Sequence, residues 1–240
     1  PQAPGRKHIS NAPMTTHPAS PNSACAPVAD QPRTAAGTLL TYRHALEQLG
    51  DAANQPPYKS APKAPILYIK PANTYARDGD DIVLPADVAD VEIGACLGIV
   101  FQRKATRVSE TQAMDYVAGY RIVADLSVPH SSYFRPPMKQ KCRDGFCPMG
   151  ALVERDHIRN PDDLNIQVHV DGQCVQQAHT GDLIRSVARL IADVTQFMSL
   201  DQGDILLVGV PAGAPRAHAG QRVEIRIPEL GRLANRLTAA

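Results

Sequence analysis

The sequence predicts an α+β domain dominated by mixed β-structure. Short apolar segments with strand character recur along the chain, few segments show helical periodicity, and the connections are long and rich in proline and glycine. Many strands joined by long connections, with few helices, are typical of this fold class. The hydrophobic fraction of 43% in 240 residues is enough for one substantial core.

Composition divides the chain at about Gly37. Residues 1–37 hold seven of the 21 prolines, together with alanine, serine, threonine and asparagine, and hardly any large apolar residue. Such a segment cannot bury enough surface to offset the entropy lost on ordering. We therefore predict a disordered tail over residues 1–37 and a single domain over residues 38–240.

Charge and cysteine content restrict the partners and the compartment. A formal net charge of +1 gives no general electrostatic case for nucleic acid or an anionic membrane, and no apolar run approaches the length of a membrane span. Five scattered cysteines, an odd number, indicate free thiols rather than a disulfide framework. We predict a cytoplasmic protein that binds neither nucleic acid nor membrane.

The first clear strands are "ILYIK", which follows a proline-rich connection, and "VEIGACLGIVF" over residues 91–101. Alternation along the second strand places large apolar residues on one face, which is core. The other face carries Glu92, Gly94 and Cys96. A face with glycine, a thiol and a carboxylate either crowds against other backbone or lines a cavity.

The later segments follow in order. Ser109 and Gln112 stand in capping-box spacing and predict a short helix, while Asp171-Gly172 predicts a hairpin turn. Apolar residues at helical spacing predict a helix over residues 181–198. Further strands are predicted at "RIVADLS", "NIQVHV", "QCV", "DILLVGV" and "RVEIRI".

A series of motifs then resembles the fumarylacetoacetate hydrolase family in order and spacing. They are "AMDYVAGY", "ADLS", "KQKCRDGFCPMG", "NPDDLNIQVHVDGQCVQ" and "GDILLVGVPAG", and the resemblance covers roughly residues 62 to 240. It implies a β-roll or barrel with a few flanking helices. The block "YFRPPMKQKCRDGFCPMG" is similar to the isomerase/decarboxylase branch of 4-hydroxyphenylacetate degradation, in particular to the amino-terminal half of such enzymes.

The resemblance implies a divalent metal site, with Mg²⁺ or Mn²⁺ as the cofactor. Family members carry Glu-x-Glu on the strand equivalent to residues 91–101, and in this chain those positions hold Gly94 and Cys96. The third family ligand, an aspartate on the next buried strand, is present as Asp125. One carboxylate and one thiol form a poor site for a hard cation. Glu92 is the candidate substitute ligand, although it lies two residues, roughly 6.6 Å, along the strand.

A second family motif, Asn-Tyr-x-x-His-x-x-Glu, supplies a His/Glu pair that activates water. This chain reads "TYRHALEQ", which places Ala45 and Gln48 at the two functional positions. His44 and Glu47 keep the three-residue separation but are displaced by one residue. They are our candidates for a catalytic pair, and the alternative is an exposed i, i+3 contact on a helix.

Four basic residues lie within nine positions, Arg135, Lys139, Lys141 and Arg143. Lys141, in "KCRDG", matches a family lysine that contacts a substrate carboxylate or carbonyl oxygen. A basic run without such a match is ordinarily a solvated face. Lys141 and Arg135 are therefore the predicted substrate-binding residues.

Two functions remain open from the sequence. The resemblance implies decarboxylation of 5-oxopent-3-ene-1,2,5-tricarboxylate and isomerisation of 2-hydroxyhepta-2,4-diene-1,7-dioate, small 2-oxo acids with two or three carboxylates. The alternative is a catalytically silent family member that clamps substrate or supplies structure beside a metal-competent related chain. The chain is predicted to form either a homodimer or a heterodimer with a related subunit, and the sequence leaves both open.

Overall fold

The computed structural model describes residues 31–55, 60, 62–130 and 137–240. Strands dominate the described part of the chain, and its helices are short. The strands are β1 (Ala35–Leu39), β2 (Ile66–Lys70), β3 (Tyr75–Arg77), β4 (Asp81–Leu84), β5 (Asp90–Phe101), β6 (Val117–Ser127), β7 (Cys147–Met149), β8 (Val153–Glu154), β9 (Asn165–Val170), β10 (Gln173–His179), β11 (Ile205–Leu207), β12 (Arg216–His218), β13 (Arg222–Ile227) and β14 (Gly231–Ala239). The α-helices are α1 (Arg43–Leu49), α2 (Met138–Lys141) and α3 (Val187–Thr195), and 3₁₀ turns cover Gly50–Asn54, Ala72–Thr74, Glu110–Tyr116, Arg155–His157 and Thr180–Asp182.

The strands form two mixed sheets. The larger sheet has the order β2-β1-β11-β5-β6-β7-β3, with β12 also paired to β5 and β8 to β6. The smaller sheet has the order β10-β9-β13-β14-β4. Most pairs are antiparallel, whereas β1 with β11, β3 with β7 and β14 with β4 are parallel. The predicted α+β class with mixed, predominantly β structure is confirmed. No helix in the described residues has the length and apolar character needed to cross a membrane.

Strand β5 is central to the larger sheet. It pairs with β6 along most of its length on one edge, and with β11 and β12 on the other. Its register places Gly94 directly opposite Asp125 and Glu92 directly opposite Ser127. The face that the sequence singled out therefore runs across two neighbouring strands, β5 and β6.

The predicted hairpin is confirmed, and the predicted long helix is shorter than expected. Asp171 and Gly172 both have positive φ, 49° and 84°, as a tight turn between β9 and β10 requires. Helix α3 begins only after Ser186, because the Ser186 hydroxyl accepts a hydrogen bond from the Arg189 amide at 3.1 Å and caps the helix there. A 3₁₀ turn at Thr180–Asp182 occupies the start of the predicted range.

The helix predicted after Ser109 is a 3₁₀ segment, Glu110–Tyr116. The Ser109 hydroxyl donates to the side-chain carbonyl of Gln112 at 2.9 Å, so the reciprocal backbone bonds of a capping box do not form. This segment forms the second part of the connection between β5 and β6, which runs over residues 102–116.

The predicted boundary at Gly37 lies too late in the chain. Strand β1 begins at Ala35, and Ala35 and Ala36 are fully buried between β2 and β11. The Thr34 amide already donates to Asp204 Oδ1 at 2.9 Å. Small residues are tolerated here because a strand between two neighbours draws on backbone hydrogen bonds rather than on side-chain volume. Residues 1–30 of the predicted tail over residues 1–37 lie outside the described residues.

Candidate functional site

A cavity of about 510 Å³ opens on the face shared by β5 and β6. Helix α1 and the loop over residues 210–214 form its other walls. Glu92 and Gly94 line it from β5, and Asp125 and Ser127 line it from β6. Glu92 and Gly94 on this face therefore line a cavity, whereas Cys96, farther along the same face, is buried, so both outcomes expected from the sequence occur.

Asp125 lies at the floor of the cavity and is almost completely buried. Lys70 Nζ lies 2.7 Å from its Oδ1 atom, and Lys141 Nζ lies 2.6 Å from its Oδ2 atom. The Tyr68 hydroxyl also donates to Oδ2. Burial alone would raise the pKa of Asp125, but the ammonium groups of Lys141 and Lys70 outweigh burial and hold that pKa well below its usual range. Asp125 is consequently an ionised carboxylate with both oxygens engaged.

Lys70 is fully buried and joins three parts of the chain. Besides its ion pair, its ammonium donates to the carbonyl oxygens of Leu126, Lys141 and Phe146 at 3.0, 2.8 and 2.8 Å. Strand β2 is thereby fixed to the end of β6 and to the loop that follows α2. Lys70 and Tyr68 were not among the residues predicted from the sequence. The available signal was a lysine at the end of the apolar strand "ILYIK", because a lysine buried in a sheet needs a counter-ion.

Lys141 ends helix α2 and reaches the cavity. Its side chain is 7% exposed, and its ammonium lies 4.9 Å from the centre of the Tyr68 ring. The structure therefore places the predicted substrate-binding lysine at the cavity floor, within a cluster of two lysines and one aspartate. That cluster carries one more positive than negative charge, which favours an anion in the space above it.

The two positions expected to supply metal ligands offer none. A Cβ atom on Gly94 would lie 2.5 Å from the carbonyl oxygen of Asp125 and 2.8 Å from Val210 Cγ2, so the backbone leaves no room for a side chain there. Cys96 belongs to the buried core, and its thiol donates to the Leu97 carbonyl at 3.4 Å. Burial raises the pKa of the Cys96 thiol well above its ordinary value, so the thiolate that a metal would bind is disfavoured.

The remaining donors do not fit a divalent cation. No group of three or more His, Cys, Asp or Glu side chains within the described ranges is placed to hold a metal ion. Glu92 lies one pleat beyond the Gly94 and Asp125 pair, as its pairing with Ser127 shows. A cation at Asp125 would also face two ammonium groups already in contact with that carboxylate. Asp125 was predicted as a metal ligand, and Glu92 as a substitute for the ligands missing at positions 94 and 96. Both roles stay predictions, because the described residues around them do not form a matching donor set.

Comparison with known proteins identifies the family. Residues 34–238 match the model for the fumarylacetoacetate (FAA) hydrolase C-terminal domain. The chain belongs to the fumarylacetoacetate hydrolase family. It is 37% identical over 186 residues to the 4-hydroxyphenylacetate degradation bifunctional isomerase/decarboxylase of Escherichia coli, covering 78% of this chain and 42% of that protein. The corresponding Salmonella dublin protein is 34% identical over 206 residues, covering 86% of this chain and 47% of that protein. This fumarylacetoacetate hydrolase domain thus spans less than half the length of these two relatives.

Solved structures of family members agree with the fold. The 5-carboxymethyl-2-hydroxymuconate delta-isomerase of Mycobacterium smegmatis superposes with a TM-score of 0.75 at 27% identity, covering 87% of this chain and 80% of that one. The maleylpyruvate hydrolase of Sphingobium sp. SYK-6, solved with manganese and pyruvate, gives 0.72 at 25% identity, covering 87% and 71%. The relatives named here thus include isomerases and a decarboxylase of aromatic degradation, and a hydrolase solved with a divalent metal.

The candidate catalytic pair of this family member is exposed. His44 Nδ1 and Glu47 Oε2 lie 3.1 Å apart on α1, and their side chains are 72% and 68% exposed. The cavity is lined instead by Ala45 and Gln48, the positions that align with the family's His/Glu pair. The helix thus presents the expected positions to the cavity but with side chains that cannot activate water.

Arg143 lies away from the cavity, and Arg135 lies outside the residues that the structure describes. Arg135 falls in residues 131–136, outside the described residues, and its predicted substrate contact stays a prediction. Arg143 pairs with Asp87 Oδ2 at 2.9 Å on the exterior of the molecule. Of the two predicted substrate-binding residues, Lys141 is the one that the structure places in the cavity of this fumarylacetoacetate hydrolase domain.

Proposed function

We propose that this chain is the substrate-holding, metal-deficient subunit of an isomerase/decarboxylase of aromatic catabolism, acting in the cytoplasm. It works beside a related chain that carries the complete carboxylate set. The observation that carries the proposal is the state of Asp125: Lys70 and Lys141 neutralise it, while Gly94 and Cys96 supply no ligand. The substrates of the assembly are small 2-oxo acids, 5-oxopent-3-ene-1,2,5-tricarboxylate and 2-hydroxyhepta-2,4-diene-1,7-dioate.

Decarboxylation of such a substrate needs an acceptor for the electrons that leave with carbon dioxide, which a bound divalent cation supplies as a Lewis acid. The donor set of this chain does not fit that cation, so the step belongs to the related chain. The residues of this chain act by binding. Lys141 presents its ammonium to an anionic group of the substrate, and Asp125 and Tyr68 hold that ammonium in position.

A second candidate is isomerisation by this chain alone. Glu92 lines the same cavity as Lys141, so a carboxylate and an ammonium face one space. A positioned acid and base are the groups needed to move a proton between the oxygen and carbon atoms of an enol. In this case the chain interconverts the hydroxydiene-dioate and its oxo form without a metal.

Mixing experiments separate these functions. The purified chain is assayed with Mn²⁺ for release of carbon dioxide and, by ultraviolet absorbance, for isomerisation. The same assays follow with a related chain that has an intact Glu-x-Glu motif, alone and mixed. We expect no decarboxylation by this chain and more activity in the mixture than in the related chain alone.

The controls assign the outcome. Lys141→Met should keep the complex, measured by gel filtration, but lower the activity of the mixture. Rapid decarboxylation by this chain alone would contradict the proposal. Isomerisation by the isolated chain that Glu92→Gln abolishes would establish the second candidate.

A further inference from the structure

We propose that Arg216 is the second cation of the cavity and binds the far carboxylate of a linear dicarboxylate whose near end meets Lys141. Arg216 is then the residue by which the site distinguishes a dicarboxylate from a monocarboxylate. The inference rests on the proposed function only in taking this cavity as the substrate site. Nothing in the local sequence "GAPRAHAG" marks Arg216, and its place becomes evident only from the sheet.

Strand pairing fixes where Arg216 lies. On β12 it is directly opposite Glu92, on the edge of β5 remote from β6, and both residues line the cavity. Lys141 reaches the cavity from the other side, through its contact with Asp125 on β6. Two strand spacings of about 4.8 Å and one two-residue rise of about 6.7 Å separate the Cα atoms of Arg216 and Asp125, on the order of 12 Å in total. The two cations therefore stand at opposite ends of one space.

Arg216 is available to a ligand. Its side chain is 58% exposed, and its ion pair with Asp90 is long, with 3.7 Å between Nη1 and Oδ2. A pair of this length between exposed side chains contributes little, so the guanidinium can turn towards a carboxylate at small cost. A guanidinium also presents two parallel donors that match a carboxylate.

The charge pattern of the cavity selects the ligand. The floor of the cavity has a net positive charge, because two lysines surround the single carboxylate of Asp125. Arg216 supplies a second positive charge, and Glu92 lies on the strand between β12 and β6. A complementary ligand has anionic ends and a neutral middle, because a third carboxylate in the middle would meet Glu92. A hydroxyl group in the middle could donate to Glu92. The pattern therefore fits a hydroxylated linear dicarboxylate better than a tricarboxylate.

The walls suit the carbon chain between the two charged ends. They are formed by small and apolar residues of the loop after β11, Val210, Ala212, Gly213 and Ala214, and by Gly94. The volume of about 510 Å³ falls within the usual range for a small-molecule site. Such walls add no charge along the carbon chain of the ligand, so the charged contacts remain at its two ends.

Calorimetry with two matched ligands tests the inference. Pimelate is a linear dicarboxylate, and heptanoate has the same chain length with one carboxylate. We expect the unmodified chain to bind pimelate more tightly. Arg216→Met should lower pimelate affinity about tenfold, the lower end for a charge-assisted hydrogen bond at an exposed site, and leave heptanoate affinity unchanged. Lys141→Met should weaken both ligands.

Arg222→Met is the matched control. Arg222 lies on β13 of the other sheet, is 59% exposed and has a similarly long ion pair, 3.8 Å to Glu224. It should change neither affinity. Equal losses of pimelate and heptanoate in Arg216→Met, the same loss in Arg222→Met, or no binding of pimelate by the unmodified chain would each overturn the inference.

Failure of the proposed function is recognised separately. Enhanced activity of the mixed chains, together with pimelate binding that Arg216→Met leaves unchanged, would remove this inference and leave the proposed function in place. Dicarboxylate binding without enhanced activity in the mixture would do the reverse.

Discussion

Among the individual residues of the candidate site, Lys70 connects the most parts of the structure. Its ammonium donates to three backbone carbonyls and forms an ion pair with Asp125, and none of its surface is exposed. A buried lysine is tolerated only when its charge is paired and its protons are donated. Lys70 satisfies both conditions and also ties β2 to β6, so it positions Asp125 and, through it, Lys141.

Lys70→Met should destabilise the protein by about 3–5 kcal/mol, because it removes one partner of a buried ion pair and three hydrogen bonds to backbone carbonyls. Urea unfolding measures the loss. Lys104→Met is the control, since Lys104 is exposed and lies 4.0 Å from Asp201, and it should cost less than about 1 kcal/mol. Similar losses in the two variants would show that Lys70 has no special structural role.

Because of Asp125, the free energy of unfolding should decrease as the pH falls through the acidic range. Its pKa in the folded protein is held below the usual range, whereas in the unfolded chain it protonates at about 3.9. The contribution of Asp125 is therefore complete above about pH 5 and declines as the pH falls through the unfolded value towards the folded one.

The free energy of unfolding measured between pH 7 and pH 3 should fall more steeply for the unmodified protein than for Asp125→Asn. That variant has no carboxylate at this position in either state. Parallel curves for the two proteins would show that the ion pairs do not shift the titration of Asp125.

The sequence identified Asp125 and Lys141 because both lie in motifs that resemble a family. It did not identify Lys70, Tyr68 or Arg216. Lys70 and Tyr68 acquire their roles from contacts with residues more than fifty positions away, and Arg216 from its pairing opposite Glu92. Periodicity and local spacing do not encode such contacts, so only the folded sheet assembles them.

Among the secondary-structure elements, β1 begins with small residues, and its start was not predicted from the sequence. Ala35, Ala36 and Gly37 pair with β2 on one side and β11 on the other. Gly37 also receives the Tyr68 ring, since a Cβ atom there would lie 2.1 Å from Tyr68 Cζ. The apolar strands β2, β5 and β6 were predictable from their side chains, whereas β1 is defined by its neighbours.

Truncation tests the role of β1. A chain that begins at Thr38 lacks the pairs formed by residues 35–37, and a chain that begins at Thr34 keeps them. We expect a clearly lower melting temperature for the shorter chain, because β2 and β11 lose backbone hydrogen bonds and Tyr68 loses its packing surface. Equal melting temperatures would mean that β1 contributes nothing to stability.

At the scale of the whole molecule, class and strand content followed from the sequence, but the sheet order did not. The class followed because many short apolar segments and few helices leave little choice of architecture. The order depends on pairings such as Ala35 with Ile205, which join distant parts of the chain. These pairings bring β5, β6 and β12 together and so create the cavity.

The stability of the whole molecule should be independent of divalent metal. A ligand that binds only the native state stabilises it by RT ln(1 + [L]/Kd) and so raises the melting temperature, and this chain offers no matching donor set within its described residues. Millimolar Mg²⁺, Mn²⁺ or EDTA should therefore leave the melting temperature unchanged. A family member with intact Glu-x-Glu serves as the positive control. A rise with Mn²⁺ that EDTA reverses would indicate a metal site that includes Asp125 and Glu92.

The close packing around Gly94 restricts how a metal site could evolve in this chain. A lineage with this sequence that regained a carboxylate at position 94 would first have to make room beside Val210 and shift the β6 backbone. Glutamate at position 96 would bury an added charge in the core, and Asp125 would have to give up a lysine. Each step alone would cost stability, and none would complete a carboxylate set without the others. If this chain holds substrate beside a metal-competent partner, as we propose, single substitutions offer no gradual route back to a metal site, and selection acts instead on what the chain binds.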